Sequence, residues 1–212
     1  MRDDIGNILK EWREFLADGD GWKSIRYDPA DARAMAHHYH AGQVRKKSKK
    51  PYVEHPEAVA EIVRKFYPDD SYLYTLALLH DTIEESSKDT DGKDDTHDKE
   101  LSVIHDIGLT YGKKMLDDVM RLSHFPGVPY NEYVINLSRF LAPLRVKLAD
   151  MLHNASDLSP PPGWQSGIVC TKSPKGWIKY RCALVSLENR FNGRPEGISD
   201  DHWRELVDTF EL

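Results

Sequence analysis

The chain is poor in cysteine: Cys170 and Cys182 are the only two in 212 residues, and they form no CxxC spacing. Neither a disulfide framework nor a cysteine-built zinc site is expected, and a reducing cytoplasm fits best. No window approaches the roughly 18 consecutive apolar residues that a membrane-spanning helix needs, so no membrane partner is expected. The N-terminus, MRDDIGNILKEWREFL, has acids where a secretion signal has a basic region. Positive charge is not in surplus either. Lys and Arg number 29 against 35 Asp and Glu, a formal charge of minus 6, which argues against DNA as the main partner. With no GxGxxG, no Walker-type loop, no GxSxG elbow and no internal repeat, dinucleotide oxidoreductases, P-loop enzymes and α/β-hydrolases drop out.

What is present is a foldable composition, 40% hydrophobic and 30% charged, in a chain long enough to bury a core. Apolar residues recur at three and four positions in one segment after another. The segments are Ile5 to Leu16, Asp28-Pro29 to about His40, and Pro56 to Phe66, followed by SYLYTLALLHDTIEE opened by a capping Ser71. Helical patterns return at Leu101 to Ile107, Tyr111 to Leu122 and Tyr130 to Leu141, with Pro143 dividing the last from LRVKLADMLHNASDL. Two more run from Trp177 to Phe191 and from Asp200 to Phe210. Val44 to Val53 reads as a basic loop, and Ser86 to Glu100, SSKDTDGKDDTHDKE, as an acidic loop without secondary structure. No alternating strand pattern competes. The expectation is an all-α fold in a single domain, 1–212.

Chemistry concentrates where oil meets charge. His80 and Asp81 follow Leu78-Leu79 directly, and burying them is costly unless they are paired or hold a metal. Glu84 and Glu85 come within one helical turn of them, and a divalent cation would relieve the crowded carboxylates. A helix end with solvated acids reads equally well. His55 stands before Pro56, where the backbone is restricted, although a lone histidine is more often a surface residue. Asp150 lies within an apolar stretch, open both to a metal and to an ion pair with Lys147. The run from Arg45 to Lys50 reads as a local phosphate-binding patch, with a solvated face, a localisation signal and an RNA patch as the alternatives. Trp164 and Trp177 are read as packing residues.

Three segments in order, HAGQVRKKSKKPYVEHP, LALLHDTIEE and VKLADMLHN, resemble the hydrolase domain of the RelA/SpoT superfamily, the HD-domain enzymes that degrade the alarmone ppGpp. The resemblance covers about His40 to Leu158, within a motif-bearing core of about 28–158, and leaves the flanks 1–27 and 160–212 unmatched. It implies a compact multi-helix HD bundle with His55, His80, Asp81 and Asp150 as metal ligands and Mn2+ as the expected ion. It further implies Glu84 and Glu85 as the catalytic pair that positions water, and Arg45, Lys46 and Asn154 as contacts to a small-molecule nucleotide.

The sequence departs from the family at Glu85, where aspartate is usual, and at Lys49-Lys50, where a glycine usually precedes the Pro-Tyr pair. The implied activity is release of pyrophosphate from the 3′ position by a stand-alone cytoplasmic hydrolase of the stringent response. Two alternatives stay open: an HD phosphatase acting on NADPH or mononucleotides, and a regulator that binds a nucleotide without catalysis. Oligomeric state is not legible.

Overall fold

The computed structural model describes residues 26–86, 95–124, 127–158, 160 and 175–212, with the backbone alone at 95–98. The expected helix at Ile5 to Leu16, residues 87–94 of the acidic stretch, and Trp164 lie outside the described residues. Nine helices follow one another among those described: α1 (Pro29–Tyr39), α2 (Glu54–Phe66), α3 (Ser71–Leu79), α4 (Thr82–Ser86), α5 (Asp95–Leu122), α6 (Tyr130–Leu137), α7 (Leu141–Ser156), α8 (Trp177–Phe191) and α9 (Asp200–Phe210). The all-α expectation holds. The only extended pairing among the described residues is an isolated bridge between Val44 and Pro51, which closes the basic loop. No helix among them is long and apolar enough to cross a membrane.

Local chemistry sets the helix ends. Asp28 caps α1 by accepting from the Ala30 N–H at 2.8 Å, and Pro29 takes the first helical position, which needs no N–H donor. α3 is capped by Asp70, which accepts from Leu73 N–H at 2.9 Å, so the expected Ser71 cap is displaced by one residue. α2 begins at Glu54, two residues before Pro56, and this brings His55 into the first turn of the helix. The division expected at Pro143 falls earlier: α6 ends at Leu137, Phe140 is the extended residue before α7, and Pro143 sits in that helix's first turn, where its missing N–H costs nothing.

The acidic stretch read as a loop from Ser86 to Glu100 is helical at both described ends: Ser86 closes α4 and α5 already begins at Asp95. α5 is broken at Gly112, whose φ of 77° and ψ of 175° suit a residue without Cβ. The composition gives no expectation of a disulfide framework, yet Cys182 on α8 is disulfide-bonded. Lack of a CxxC spacing excludes a metal knuckle but not a lone disulfide.

α3 and α7 form the centre. Every residue of α3 from Leu73 to Leu79 is buried, and α3 packs on α1, α2, α5 and α7. α7 also meets α2, α5, α6 and α9, and buries Leu144, Val146, Leu148, Ala149, Met151 and Leu152. Such all-round burial marks a core helix rather than a surface one. The polar groups His80, Asp81, Lys147 and Asp150 therefore enter the interior on the two most buried elements.

Away from this centre, α9 locks onto α2 through His202, which is fully buried. Its ring lies flat on Phe66 at 4.4 Å between centroids, and its Nδ1 is 3.1 Å from the Tyr67 hydroxyl. Burial, aided by the Arg145 and Lys65 charges, pulls the imidazole from 6.5 down to about 3. Above pH 6.5 both folded and unfolded chains hold a neutral ring. Between pH 6.5 and 3 only the unfolded chain takes the proton, so stability falls by about 1.4 kcal/mol per pH unit as the pH drops. His202→Phe keeps the stacked ring and should lessen the fall in urea-unfolding free energy between pH 6 and 4 by that one-proton slope. An unchanged slope would remove His202 from the acid response.

Candidate metal centre

Three chain segments converge on one point: the first turn of α2, the α3–α4 junction and the middle of α7. His55 Nε2 lies 3.1 Å from Asp150 Oδ1 and 3.3 Å from Asp81 Oδ2. His80 Nε2 lies 3.2 Å from Asp81 Oδ1 and 3.9 Å from Asp150 Oδ1. His55, His80 and Asp150 each offer a ligand atom within 4.8 Å of the others, and all three are buried. Asp81, also buried, shares the same point through its contacts with both imidazoles.

The junction owes its shape to carbonyls captured by side chains. His80 Nδ1 is 2.8 Å from the Ala77 carbonyl, and the Thr82 hydroxyl donates to the Leu79 carbonyl at 2.7 Å. Because a carbonyl only accepts, His80 Nδ1 carries a proton, and the neutral ring then turns its Nε2 lone pair into the cluster. That Nε2 is buried and lacks a hydrogen-bond partner among the described residues. A lone pair facing two carboxylates is repulsive unless a proton or a cation sits between them. The donor set, two imidazoles and two carboxylates, suits a divalent transition ion of the borderline class. The residues present fit such an ion.

Electrostatics agrees. Burial alone would push the Asp81 carboxyl up, yet the His80 and His55 imidazoles hold it well below the usual carboxylate range. Asp150 is likewise held down against its burial, first by Lys147 and then by His55. Lys147, itself buried, donates to Asp150 Oδ2 at 2.8 Å, and that carboxylate lifts its ammonium far above the ordinary lysine value in spite of burial. Asp150 pairs with Lys147 through Oδ2 while its Oδ1 faces the imidazoles.

Next to the cluster opens a cavity of about 320 Å³, whose lining includes Arg45, Lys46, Tyr52, Glu85, Asn154 and Tyr180. Asn154 joins the two spaces. Its amide donates to Asp150 Oδ1 at 2.5 Å, and its oxygen accepts from Arg45 at 3.0 Å. Arg45 also donates to Asp157 at 3.0 Å. Of the acidic pair, Glu85 lines the cavity, while Glu84 Oε2 accepts from the His124 N–H at 3.0 Å. The break between α3 and α4 leaves neither glutamate in the cluster of possible ligand groups found among the described residues.

Three residues at the site were not singled out from sequence. Tyr52, half-buried, donates its hydroxyl to Asp81 Oδ2 at 2.7 Å. His153 Nδ1 is 2.7 Å from His55 Nδ1, and burial followed by the His55 charge brings its pKa from 6.5 down to about 4. The i to i+3 spacing from Asp150 places His153 on the same side of α7, which was a readable signal. Gln43 reaches the Glu85 carbonyl at 3.3 Å.

Comparison with known proteins bears on this arrangement. No family model matches the chain. GTP pyrophosphokinase rsh of Brucella ovis is 32% identical over 117 residues, 55% of this chain and 15% of the relative. The bifunctional (p)ppGpp synthase/hydrolase RelA of Mycobacterium tuberculosis is 33% identical over 128 residues, 60% of this chain and 16% of the relative. The chain thus spans about one-seventh of the length of these curated relatives. Among solved structures, a metazoan ortholog of SpoT that hydrolyzes ppGpp and plays a role in starvation responses superposes with a TM-score of 0.60 at 21% identity, over 86% of this chain and 93% of that one. Over its motif-bearing part the chain is similar in sequence to proteins of the RelA/SpoT superfamily. The superposition places its helices in the all-helical HD fold, and the RelA/SpoT resemblance read from the three motifs holds.

At this cluster the Lys147 ammonium and a metal ion would neutralise the same buried carboxylate. Lys147→Met should therefore destabilise the metal-free protein by about 3–5 kcal/mol, the range for a buried charge stripped of its partner. Saturating Mn2+ should restore part of the loss. Equal destabilisation with EDTA and with Mn2+ in urea unfolding would contradict the shared role.

Proposed function

We propose that this domain is a divalent-metal phosphohydrolase that removes the 3′-pyrophosphate of ppGpp-like nucleotides. The observation that carries the reading is the adjacency of a buried two-histidine, two-aspartate cluster to a basic cavity, joined through Asn154. In this reading His55, His80, Asp81 and Asp150 hold the ion, for which Mn2+ is the proposed identity. The ion would supply Lewis acidity toward a phosphoryl oxygen.

The chain's own residues do the rest. Arg45 and Lys46 meet the phosphates and balance the charge that shifts in the transition state. Asn154, already bonded to Asp150, orients the sugar beside the cluster. Glu85, from the cavity wall, and Glu84, steadied by the His124 N–H, orient the attacking water and take its proton. Water oxygen bonds to the phosphorus carried by the 3′ oxygen, that P–O bond breaks, and the proton ends on the 3′ hydroxyl as pyrophosphate leaves. Glu85 carries one methylene more than the aspartate usual in the family.

A second reading keeps the cluster and changes the substrate. The departures at Lys49 and Lys50 lie in the loop beside the cavity, and Lys49 adopts a positive φ of 61°. If the changed side chains of this loop meet a different substrate, the same cluster would serve an HD phosphatase acting on NADPH or another nucleotide.

A panel of ppGpp, ppApp, NADPH and mononucleotides, assayed with Mn2+, separates the readings. Pyrophosphate should be released from a 3′-diphosphorylated nucleotide, and Glu85→Gln should lower kcat by about 10²–10⁴-fold while Mn2+ stays bound. Phosphate from NADPH alone would select the second reading. No release from any member by metal-loaded protein would overturn both.

A further inference from the structure

The metal ligands are braced from one side by groups that no step above uses. Gln43 makes four bonds: its N–H donates to the His40 carbonyl at 3.1 Å, its backbone carbonyl accepts from Tyr52 N–H at 2.9 Å, its side-chain amide donates to the Glu85 carbonyl at 3.3 Å, and its side-chain oxygen lies 2.7 Å from His40 Nδ1. The Glu85 carbonyl can only accept, so the amide NH2 must face it and the amide oxygen must face His40. His40 Nδ1 is therefore the donor, and the ring's tautomer and orientation are fixed. His40 is 3% exposed, and its face lies on Tyr52 with centroids 4.9 Å apart and an interplanar angle of 30°. Tyr52 passes this constraint to the metal centre. It donates its hydroxyl to Asp81 Oδ2 and meets the His55 ring edge-on at 5.8 Å.

We propose that His40 and Gln43 are positioning residues that act through Tyr52 to aim Asp81 and His55 at the metal, resting on the metal-site reading above. The physical reason is geometric. A carboxylate has two oxygens with several lone pairs, and a hydrogen bond to Oδ2 selects which of them the ion meets. Partners of this outer kind, when removed, typically cost about 10–100-fold in metal affinity. His40 touches none of the ligands by an assigned hydrogen bond, so its influence has to travel through the Tyr52 ring. The same amide that holds His40 also holds the backbone of Glu85 on the cavity wall, which ties the water-positioning side of the site to the brace.

The test is a double-mutant cycle read as Mn2+ affinity by isothermal titration calorimetry on the full chain, with the melting temperature of the EDTA-treated protein recorded for each variant. Tyr52→Phe keeps the stacked ring and deletes the hydroxyl. His40→Ala deletes the stack. Each should weaken Mn2+ binding by about 10–100-fold, and the double variant should bind no more weakly than Tyr52→Phe does, because both act on one path. His40→Phe, which restores a ring against Tyr52, should recover most of the affinity lost in His40→Ala. Unchanged affinity in the single variants would overturn the brace, as would additive losses in the double variant. A fall in metal-free melting temperature with wild-type affinity would assign His40 to packing and also overturn it. Failure of the wild-type protein to bind Mn2+ would instead overturn the metal-site reading, and the brace with it.

Discussion

Everything at this site depends on four polar groups that the fold drives into its interior and points at one another. His55, His80, Asp81 and Asp150 are all buried, and their nitrogen and oxygen atoms approach within 3.1 to 3.9 Å. Two carboxylates in such a place are mutually repulsive, and neutral imidazole lone pairs do nothing to separate them. A positive charge has to stand among them. Lys147 supplies part of it at Asp150 Oδ2, protons on the imidazoles can supply more, and a divalent ion would satisfy the whole set together. α3 and α7 are buried along most of their length, which holds the polar groups in place.

The cavity inherits its character from the same elements. The basic loop closed at Val44 and Pro51 brings Arg45 and Lys46 over the cluster, and the end of α7 brings Asn154 and Asp157 to meet them. A phosphate bound there would meet Arg45 and Lys46, with the carboxylates of Glu85 and Asp157 also lining the cavity. Charge of both signs on facing walls is what hydrolysis of a phosphoester needs: cations for the phosphate, a base for the water.

Much of this was legible in the sequence, for identifiable reasons. Trp177 to Phe191 and Asp200 to Phe210 match α8 and α9 end to end, because Gly176 and Ser199 punctuate them sharply. The abrupt change from Leu79 to His80 announced a buried polar pair. The helix through His80 could not be seen to break, because the break depends on side chains capturing the Ala77 and Leu79 carbonyls, a choice that propensity does not encode. The same turn sets Glu85 on the cavity wall and Glu84 against the His124 N–H, a placement the helical spacing alone does not give. His153 and Tyr52 were visible as residues but not as partners, since the first pairs with His55 across 98 positions and the second with Asp81 across 29.

The account stands on a single ion held by both histidines and both aspartates. Its most direct test is a crystal of the protein grown with Mn2+ and measured at the manganese absorption edge. The account predicts one strong anomalous peak enclosed by His55 Nε2, His80 Nε2 and the carboxylates of Asp81 and Asp150. A peak elsewhere, or none in crystals whose protein carries manganese in solution, would contradict it.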